Sequence, residues 1–291
     1  MSTRALSLPR GIPAGTLPAA APAVAAAVAF ALLFASPFAT LLRDWWSDPE
    51  AGHGLLLGPL AVYLAYRAGW NREARPQPLL GLAVLVVAVV LRHLAGLAAE
   101  MFTLRGSMIL AAVGLVVFYG GVRSVVRWWL PFSLLALSVP LPAMVVGSIA
   151  LPLQFRATEM GAALLEMRNV PVFMAGNVLH LPGQDLFVTE ACSGLRSLAS
   201  LLALGVLIGG LWLRYPISRL TLVLVTIPLA MVLNGVRVFL TGFLVYYVDP
   251  SLGEGFMHMT EGWIIFVVAF GILGAFAWTL DRGEQLWRAR A

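Results

Sequence analysis

The chain has 291 residues, of which 60% are hydrophobic and 11% charged, and its formal net charge is +5. An average soluble domain carries about 25% charged residues, so a water-soluble fold of this size could not hide so much apolar surface. All 19 basic residues are arginines. They are distributed over the short polar segments along the chain, which argues against nucleic acid as a partner. The composition therefore predicts a multi-pass protein of the lipid bilayer.

Eight apolar segments are long enough to be candidates for crossing a hydrocarbon core of about 30 Å, which takes about 20 helical residues. They lie near residues 23–42, 54–69, 79–98, 106–121, 128–152, 191–213, 220–248 and 262–280. Residues 1–22 are rich in Pro, Ala and Gly and are predicted to form a disordered cytoplasmic lead. Residues 282–291 are predicted to form a cytoplasmic tail. Between them we expect one transmembrane domain over residues 23–281, an all-α bundle of about eight helices.

The distribution of arginine predicts the orientation of this bundle. With the N-terminus in the cytoplasm, twelve arginines fall in inside segments and four in outside segments. The outside four are Arg43, Arg105, Arg156 and Arg168. Cytoplasmic loops carry an excess of basic residues, so this count places both termini inside.

The largest segment outside the predicted spans covers residues 153–190 and is expected to be extracytoplasmic. Its first part, to Arg168, mixes apolar and polar residues at helical spacing, as in a helix that lies in the membrane interface. Two short strand patterns then flank a turn at residues 175–177, and a second turn at residues 182–185 leads into a third strand. We expect a small β element that runs directly into Glu190 and Cys192.

Three polar residues stand out because ionisable side chains in or near apolar spans are functional candidates by default. Cys192 opens the sixth predicted span, Arg237 lies in the seventh, and His258 comes just before the eighth. The predicted topology puts Cys192 and His258 at the outer surface. Arg237 precedes Val248 by eleven residues, or about 16 Å along a regular helix. A shared pocket therefore requires a deep cleft or a bent helix.

Together these side chains suit acyl transfer by a cysteine nucleophile. A helix N-terminus and a nearby cation, such as Arg196 or Arg237, favour the thiolate of Cys192. His258 suits proton donation to a leaving amine. The guanidinium of Arg237 suits stabilisation of an oxyanion, and Asn234, one turn away, is able to hold or assist it.

Each of these residues also has an ordinary structural interpretation. A single cysteine in a transmembrane helix is usually packing, a histidine in an outer loop is usually solvated, and Arg237 could pair with Glu254 or Glu261. His53, at the mouth of the second span, fits a supporting or capping role better than a reacting one. A single cysteine excludes an internal disulfide and a multi-cysteine metal site. Neither a metal nor a cofactor is expected.

Three ordered sequence blocks are more specific than these single positions. The first reads Glu-Ala-Cys-Ser-Gly-Leu-Arg-Ser-Leu at residues 190–198, the second Asn-Gly-Val-Arg at 234–237, and the third His-Met-Thr-Glu-Gly-Trp at 258–263. With these blocks the chain resembles the exosortase and archaeosortase family. The Gly52-His53-Gly54 segment and residues 171–177 resemble further features of that family.

The resemblance implies a membrane-embedded cysteine transpeptidase or protease of the bacterial inner membrane, with its active site on the periplasmic side. Its expected partners are exported proteins with a C-terminal tail of the PEP-CTERM type. Such a tail has a short Pro-Glu-Pro type motif, a transmembrane helix and a basic cluster. Carried over to this sequence, Cys192 is the nucleophile, Arg237 stabilises the oxyanion or the thiolate, and His258 is the acid/base. The expected supporting residues are Arg196, Asn234, Glu190 and His53. The acceptor that receives the cleaved protein is not identified.

Two other functions stay open at the level of sequence. A multi-spanning transporter or lipid-binding protein could use Arg237 and Arg196 to bind an anionic substrate, and it should tolerate the loss of Cys192. A hydrolase that never transfers its acyl group would have the same residues as a transpeptidase, because water and an amine attack the same thioester.

Overall fold

The computed structural model of the protein describes residues 17–48, 50–71, 73–188, 195–253 and 255–290. Within these ranges, the side chains of residues 17–20, 195–196, 251, 253 and 255–262 are not part of the description. The helices are α1 (Leu17–Ser47), α2 (Gly54–Ala68), α3 (Pro78–Leu97), α4 (Met101–Arg127), α5 (Trp129–Leu137), α6 (Ala143–Glu166), α7 (Leu195–Trp212), α8 (Pro216–Tyr247) and α9 (Gly255–Arg290). The strands are β1 (Phe173–Ala175), β2 (Val178–Leu181) and β3 (Gln184–Phe187), and a 3-10 helix covers Pro250–Gly253.

Five of the described helices are long and apolar enough to cross a membrane, namely α1 from Ala21, α3, α4, α8, and α9 from Trp263. Two further apolar helices, α2 and most of α7, are shorter. A mainly helical membrane protein with a small sheet is therefore confirmed, whereas the predicted count of eight spans is not. α1 overlaps the predicted lead, so residues 17–22 are helical, and α9 continues through the predicted tail as far as Arg290.

The predicted fifth span, residues 128–152, is not one helix. α5 ends at Leu137 after nine residues, and α6 begins at Ala143, beyond Pro140 and Pro142. A proline lacks a backbone N–H and disfavours helical geometry in the residue before it, which explains the break. The predicted interfacial helix at residues 153–168 is not a separate element either, because its residues up to Glu166 form the second half of α6.

Side chains from neighbouring segments cover the end of α5. Trp45 Nε1 donates a hydrogen bond of 2.7 Å to the carbonyl oxygen of Ser138, and His53 Nε2 lies 3.1 Å from the carbonyl oxygen of Leu137. Gly58 allows the indole ring to lie against α2, since a Cβ at this position would come within 2.6 Å of the ring. Unpaired carbonyl groups are costly in an apolar environment. These two bonds therefore help a helix to end inside the bundle.

α6 and α8 are parallel neighbours, and they approach each other closely at two glycines. A Cβ at Gly161 of α6 would lie 2.5 Å from Cγ1 of Val238, and one at Gly242 of α8 would lie 2.9 Å from Cδ1 of Leu165. Both pairs advance together along their helices, so the later half of α6 lies beside the later half of α8. The segment predicted to be an outer loop is therefore partly a helix of the bundle.

The sheet lies at the end of the bundle where α8 finishes, which we call the sheet end. Its strands are antiparallel in the order β1, β2, β3, with two-residue turns at 176–177 and 182–183, so the predicted β element is confirmed. Leu179, Leu181 and Val188 pack with Val238 and Val245 of α8 in one buried cluster. One face of the last third of α8 is thus covered by protein.

The length of α8 bears on the depth of Arg237. α8 has 32 residues, or about 48 Å, whereas the hydrocarbon core is about 30 Å thick. Measured from Pro216, such a core ends near Arg237. A helix longer than the core is thick, with the sheet packed against its last third, gives Arg237 a route to a shared pocket that requires no bend in α8.

The opposite end of the bundle is held by polar contacts, and we call it the basic end. The guanidinium of Arg219 lies 4.9 Å from the centre of the Trp129 ring. Glu284, 6% exposed, accepts hydrogen bonds from the backbone N–H groups of Arg214 at 3.0 Å and Tyr215 at 3.1 Å. These N–H groups directly precede α8, and negative charge is favoured at a helix N-terminus. Glu284 therefore ties α9 to the start of α8.

We expect Glu284→Gln to destabilise the folded protein by about 1–3 kcal/mol, the usual cost of impairing hydrogen bonds to a buried charged group. The amide keeps the size of the side chain but replaces one acceptor oxygen with a donor that would face a backbone N–H. Thermal unfolding of the detergent-solubilised protein measures the effect. Asp281→Asn, at a half-buried position of α9 where the carboxylate accepts a hydrogen bond from Nε2 of Gln285, is the matched control. Equal unfolding temperatures for both variants would contradict the assigned role.

Candidate active site

A pocket lies where α7, α8 and α9 meet, about 20 residues along α8 from its start at Pro216. Its lining includes Ser197 and Leu201 of α7, Asn234 and Arg237 of α8, and Phe266 and Ala269 of α9. We call this the arginine pocket. Most of its wall is apolar, so water screens the charges in it less than at the protein surface. The electrostatic interaction between a charged side chain and a neighbouring ligand is therefore stronger here.

Asn234 and Arg237 share one face of α8, as their spacing of three residues predicts. Asn234 is 6% exposed, and Arg237 is half-buried. Thr241, one turn further on, donates its hydroxyl to the carbonyl oxygen of Arg237 at 3.0 Å. The structure thus brings together the arginine and the asparagine of the second sequence block.

A second pocket lies on the other side of Asn234, between α6, α7 and α8. Its lining residues are Leu153, Arg156, Ala157, Leu198, Ala230, Met231 and Asn234. Asn234 and Ala230 also line the arginine pocket, so the two pockets share a wall. Arg156 pairs with Glu159 at 2.9 Å in a contact whose side chains are 68% and 47% exposed.

Sequence reasoning missed Arg156 as a pocket residue. The arginine count uses it only as one of the four outside residues, and the structure adds that it lies on α6 beside Met231 and Asn234 of α8 in the second pocket. No local pattern signals this position, because it results from α6 packing parallel to α8. The Gly161 contact with Val238 is what brings the two helices close.

Several predicted site residues fall outside the described part of the structure. Cys192 and Glu190 belong to residues 189–194, which are not described. Arg196 and His258 lie in α7 and α9, where only the helix positions are described. The structure therefore places Arg237, Asn234 and His53 directly, and gives only a register for Arg196 and His258.

The helix register places positions 196 and 258 on different sides of the bundle. Position 258 precedes Ile265 by seven residues, which is about two turns, and so lies on the face of α9 that lines the arginine pocket. Position 196 precedes Ala203 by the same seven residues. Ala203 packs with Leu57 of α2 and with residues of α5, rather than lining the pocket. By register, position 258 lies on the pocket side and position 196 on the side of α2 and α5.

Comparison with protein families gives one match. The family model of transmembrane exosortases matches residues 45–275, which is more than half of the chain. The chain belongs to the transmembrane exosortase family. The membership predicted from the three sequence blocks is therefore confirmed, and the match includes all three blocks and His53. No curated protein and no solved structure shows significant similarity to the chain.

His53 of this exosortase lies at the α2–α5 corner of the bundle, where its ring meets the Leu137 carbonyl at the end of α5. A carbonyl oxygen accepts, so Nε2 is the donor in this contact. The residue lies outside the lining of both described pockets. This geometry favours the supporting role over a reacting one.

His53→Ala is expected to lower the stability of the folded protein by about 1–3 kcal/mol, because the Leu137 carbonyl loses its side-chain donor. His53→Gln, which retains a donor, should recover part of the loss. Thermal unfolding in detergent measures both variants. A loss of activity per folded molecule of more than about 100-fold, with unchanged unfolding temperature, would instead assign His53 to the reaction, since effects of that size are typical of acid/base groups.

Proposed function

We propose that this exosortase is a cysteine transpeptidase or protease that cleaves the C-terminal sorting tails of exported proteins through a thioester at Cys192. The observation that carries the proposal is the arginine pocket, where Arg237 and Asn234 meet the first turns of α7 and the inner face of α9. α7 begins at Leu195, three residues after Cys192. Chain connectivity alone keeps the two Cα atoms within about 11 Å of each other.

The proposed reaction assigns one step to each group. The Cys192 thiolate attacks the carbonyl carbon of the scissile peptide bond, and the guanidinium of Arg237 stabilises the oxyanion that forms. When the tetrahedral intermediate collapses, the C–N bond breaks and the leaving amine takes a proton from His258. The thioester that remains is attacked by an acceptor amine in a transpeptidase or by water in a protease.

The position of the pocket supports a membrane-anchored substrate. Arg237 lies near the outer limit of the hydrocarbon layer estimated from α8, and the sheet covers the helix beyond it. A peptide bond just outside a transmembrane helix would lie at this level. This is the geometry of a sorting tail in which the cleaved motif directly precedes a membrane helix.

Detection of a covalent adduct tests the proposal directly. The chain is co-expressed with a candidate tailed protein, purified, and digested for mass spectrometry. The expected result is a thioester between Cys192 and the carbonyl carbon at the cleavage point, released by hydroxylamine. Cleaved tails without any adduct at Cys192, under conditions that trap thioesters, would contradict the cysteine mechanism.

We also propose that the sheet end faces the periplasm and that both termini lie in the cytoplasm, as the arginine count predicts. Cys192 is the only cysteine of the chain, so a membrane-impermeant maleimide added to spheroplasts should label the intact protein. Protein with Cys192→Ala is the control for unspecific labelling. Labelling that occurs only after permeabilisation would reverse the orientation.

A further inference from the structure

β3 forms one edge of the three-stranded sheet. Just beyond it, Val188 donates its N–H to the carbonyl oxygen of Asn177 at 2.9 Å, and so faces β2. Backbone groups alternate in direction along an antiparallel strand. Asp185 and Phe187 therefore direct their N–H and C=O groups away from β2. Within the described residues, no hydrogen bond involves these four backbone groups.

β3 runs from the sheet end towards the second pocket. At its start, Gln184 Nε2 donates to the carbonyl oxygen of Pro250 at 3.4 Å, beyond the end of α8. At its finish, Asn177 Nδ2 lies 3.1 Å from the Val188 carbonyl oxygen and 3.4 Å from Oε1 of Gln154. Gln154 neighbours the pocket residue Leu153 in α6. A chain that lies along β3 is thereby led from the sheet end towards the α6 side of the second pocket, which shares Asn234 and Ala230 with the arginine pocket.

The side chains of β3 leave this edge open. Strand side chains stand perpendicular to the sheet, and Asp185 accordingly lies on the sheet face, where its carboxylate is 2.7 Å from His180 Nδ1 of β2. Phe187 is 61% exposed on the same face. Proteins often blunt an edge strand with a charge that repels other strands. Here the charge of Asp185 faces a partner within the sheet.

We propose that the free edge of β3 binds an extended polypeptide segment of the substrate as an added strand and leads it to the arginine pocket. The inference rests on the proposed function. An extended peptide is the ligand class whose alternating donors and acceptors match a strand edge. The position of this edge in the sequence supports a substrate segment as the occupant. Cys192 follows Val188 by four residues, so their Cα atoms are at most about 14 Å apart.

Peptide binding to the full-length Cys192→Ala protein in detergent tests the inference without requiring cleavage. The probe is a fluorescent synthetic peptide of about ten residues with a Pro-Glu-Pro type motif and the residues after it. It is N-methylated at one residue at a time, and binding is followed by fluorescence anisotropy. Strand addition predicts a period of two. The two outward carbonyl groups of β3 accept from two peptide N–H groups that lie two residues apart. N-methylation at either of these positions weakens binding about 3-fold to 10-fold, the range for one net hydrogen bond, while methylation at the residue between them has little effect.

Two variants of the protein test the same edge from the other side. Phe187→Pro removes the outward N–H and leaves the N–H groups that bond to β2 intact, whereas Phe187→Ala removes only the side chain. We expect Phe187→Pro in the Cys192→Ala protein to weaken peptide binding about 3-fold to 10-fold beyond Phe187→Ala. Thermal unfolding in detergent checks that the sheet is retained in both variants.

The outcomes separate this inference from the proposed function. Uniform tolerance of N-methylation, or equal binding by the proline and alanine variants, would overturn strand addition even if the Cys192 thioester forms. A period-two pattern without any thioester would support the docking edge and contradict the cysteine mechanism. A change of oligomeric state in Phe187→Pro, with peptide binding unchanged, would assign the edge to a second copy of the chain and overturn the inference.

Discussion

Cys192→Ala is expected to abolish processing of a tailed substrate, with a loss on the order of 10⁴-fold or more. Removing the nucleophile of a covalent mechanism leaves only the stabilising groups of the pocket, and losses in other covalent hydrolases are of this size or larger. Cys192→Ser should be almost as inactive, because a hydroxyl does not ionise under conditions that produce a thiolate. The measurement is substrate cleavage in cells, divided by the amount of protein in the membrane.

The same experiment separates the enzyme from the transporter interpretation. Cys192 is the only thiol of the chain, so no other cysteine can replace it. A transporter or lipid-binding protein would keep its function in Cys192→Ala, since its anionic ligand would be held by arginines. Normal processing by this variant at normal abundance would therefore contradict the cysteine mechanism altogether.

Arg237→Lys is expected to lose about 3 kcal/mol of transition-state stabilisation, or roughly 100-fold to 1,000-fold in rate, comparable to removing a donor from an oxyanion hole. Lysine keeps the charge but offers a compact ammonium on a flexible stem, whereas a guanidinium holds several donors in a fixed plane. Arg237 is half-buried beside the largely buried Asn234. A change of geometry at this site should therefore affect the reaction more than folding.

Two matched variants show whether the effect belongs to this arginine. Arg156→Lys alters the exposed arginine of the second pocket, and Arg196→Lys alters a position that the register of α7 places on the side of α2 and α5. We expect both to retain cleavage within about tenfold of the unaltered protein, as for charges that are not fixed donors to the oxyanion. Near-normal cleavage by Arg237→Lys with collapse in Arg196→Lys would show that the arginine after Cys192 has the assigned role.

The arrangement of helices around the site has a physical basis in two small sets of residues. Glycines bring α6 against α8, as at Gly161 and Gly242, and prolines end α5 within the bundle. The end of α5 is stable because Trp45 and His53 supply donors to its last carbonyl groups. His53 thus supports a half-length helix whose Leu130 and Leu134 pack with Ala203 of α7.

Much of this protein follows from its sequence. An apolar fraction of 60% predicts a protein of the lipid bilayer. The turn residues at 176–177 and 182–183 specify the hairpins of the sheet, because glycine adopts positive φ at low cost. The three ordered blocks identified the exosortase family. The spacing of three residues within the second block predicted that Asn234 and Arg237 lie on one face of a helix. These features depend on composition, local turn chemistry and helical spacing, all of which act over short stretches of chain.

Other features were decided only by tertiary structure. A hydropathy window treats residues 128–152 as one span, but the path of the chain between α5 and α6 depends on side chains of residues 45 and 53, far away in sequence. The level of Arg156 depends on α6 lying parallel to α8, and the accessible depth of Arg237 depends on the sheet that covers the end of α8. Such contacts join residues about 50 or more positions apart, and no local pattern encodes them, because packing energy depends on which surfaces meet in three dimensions.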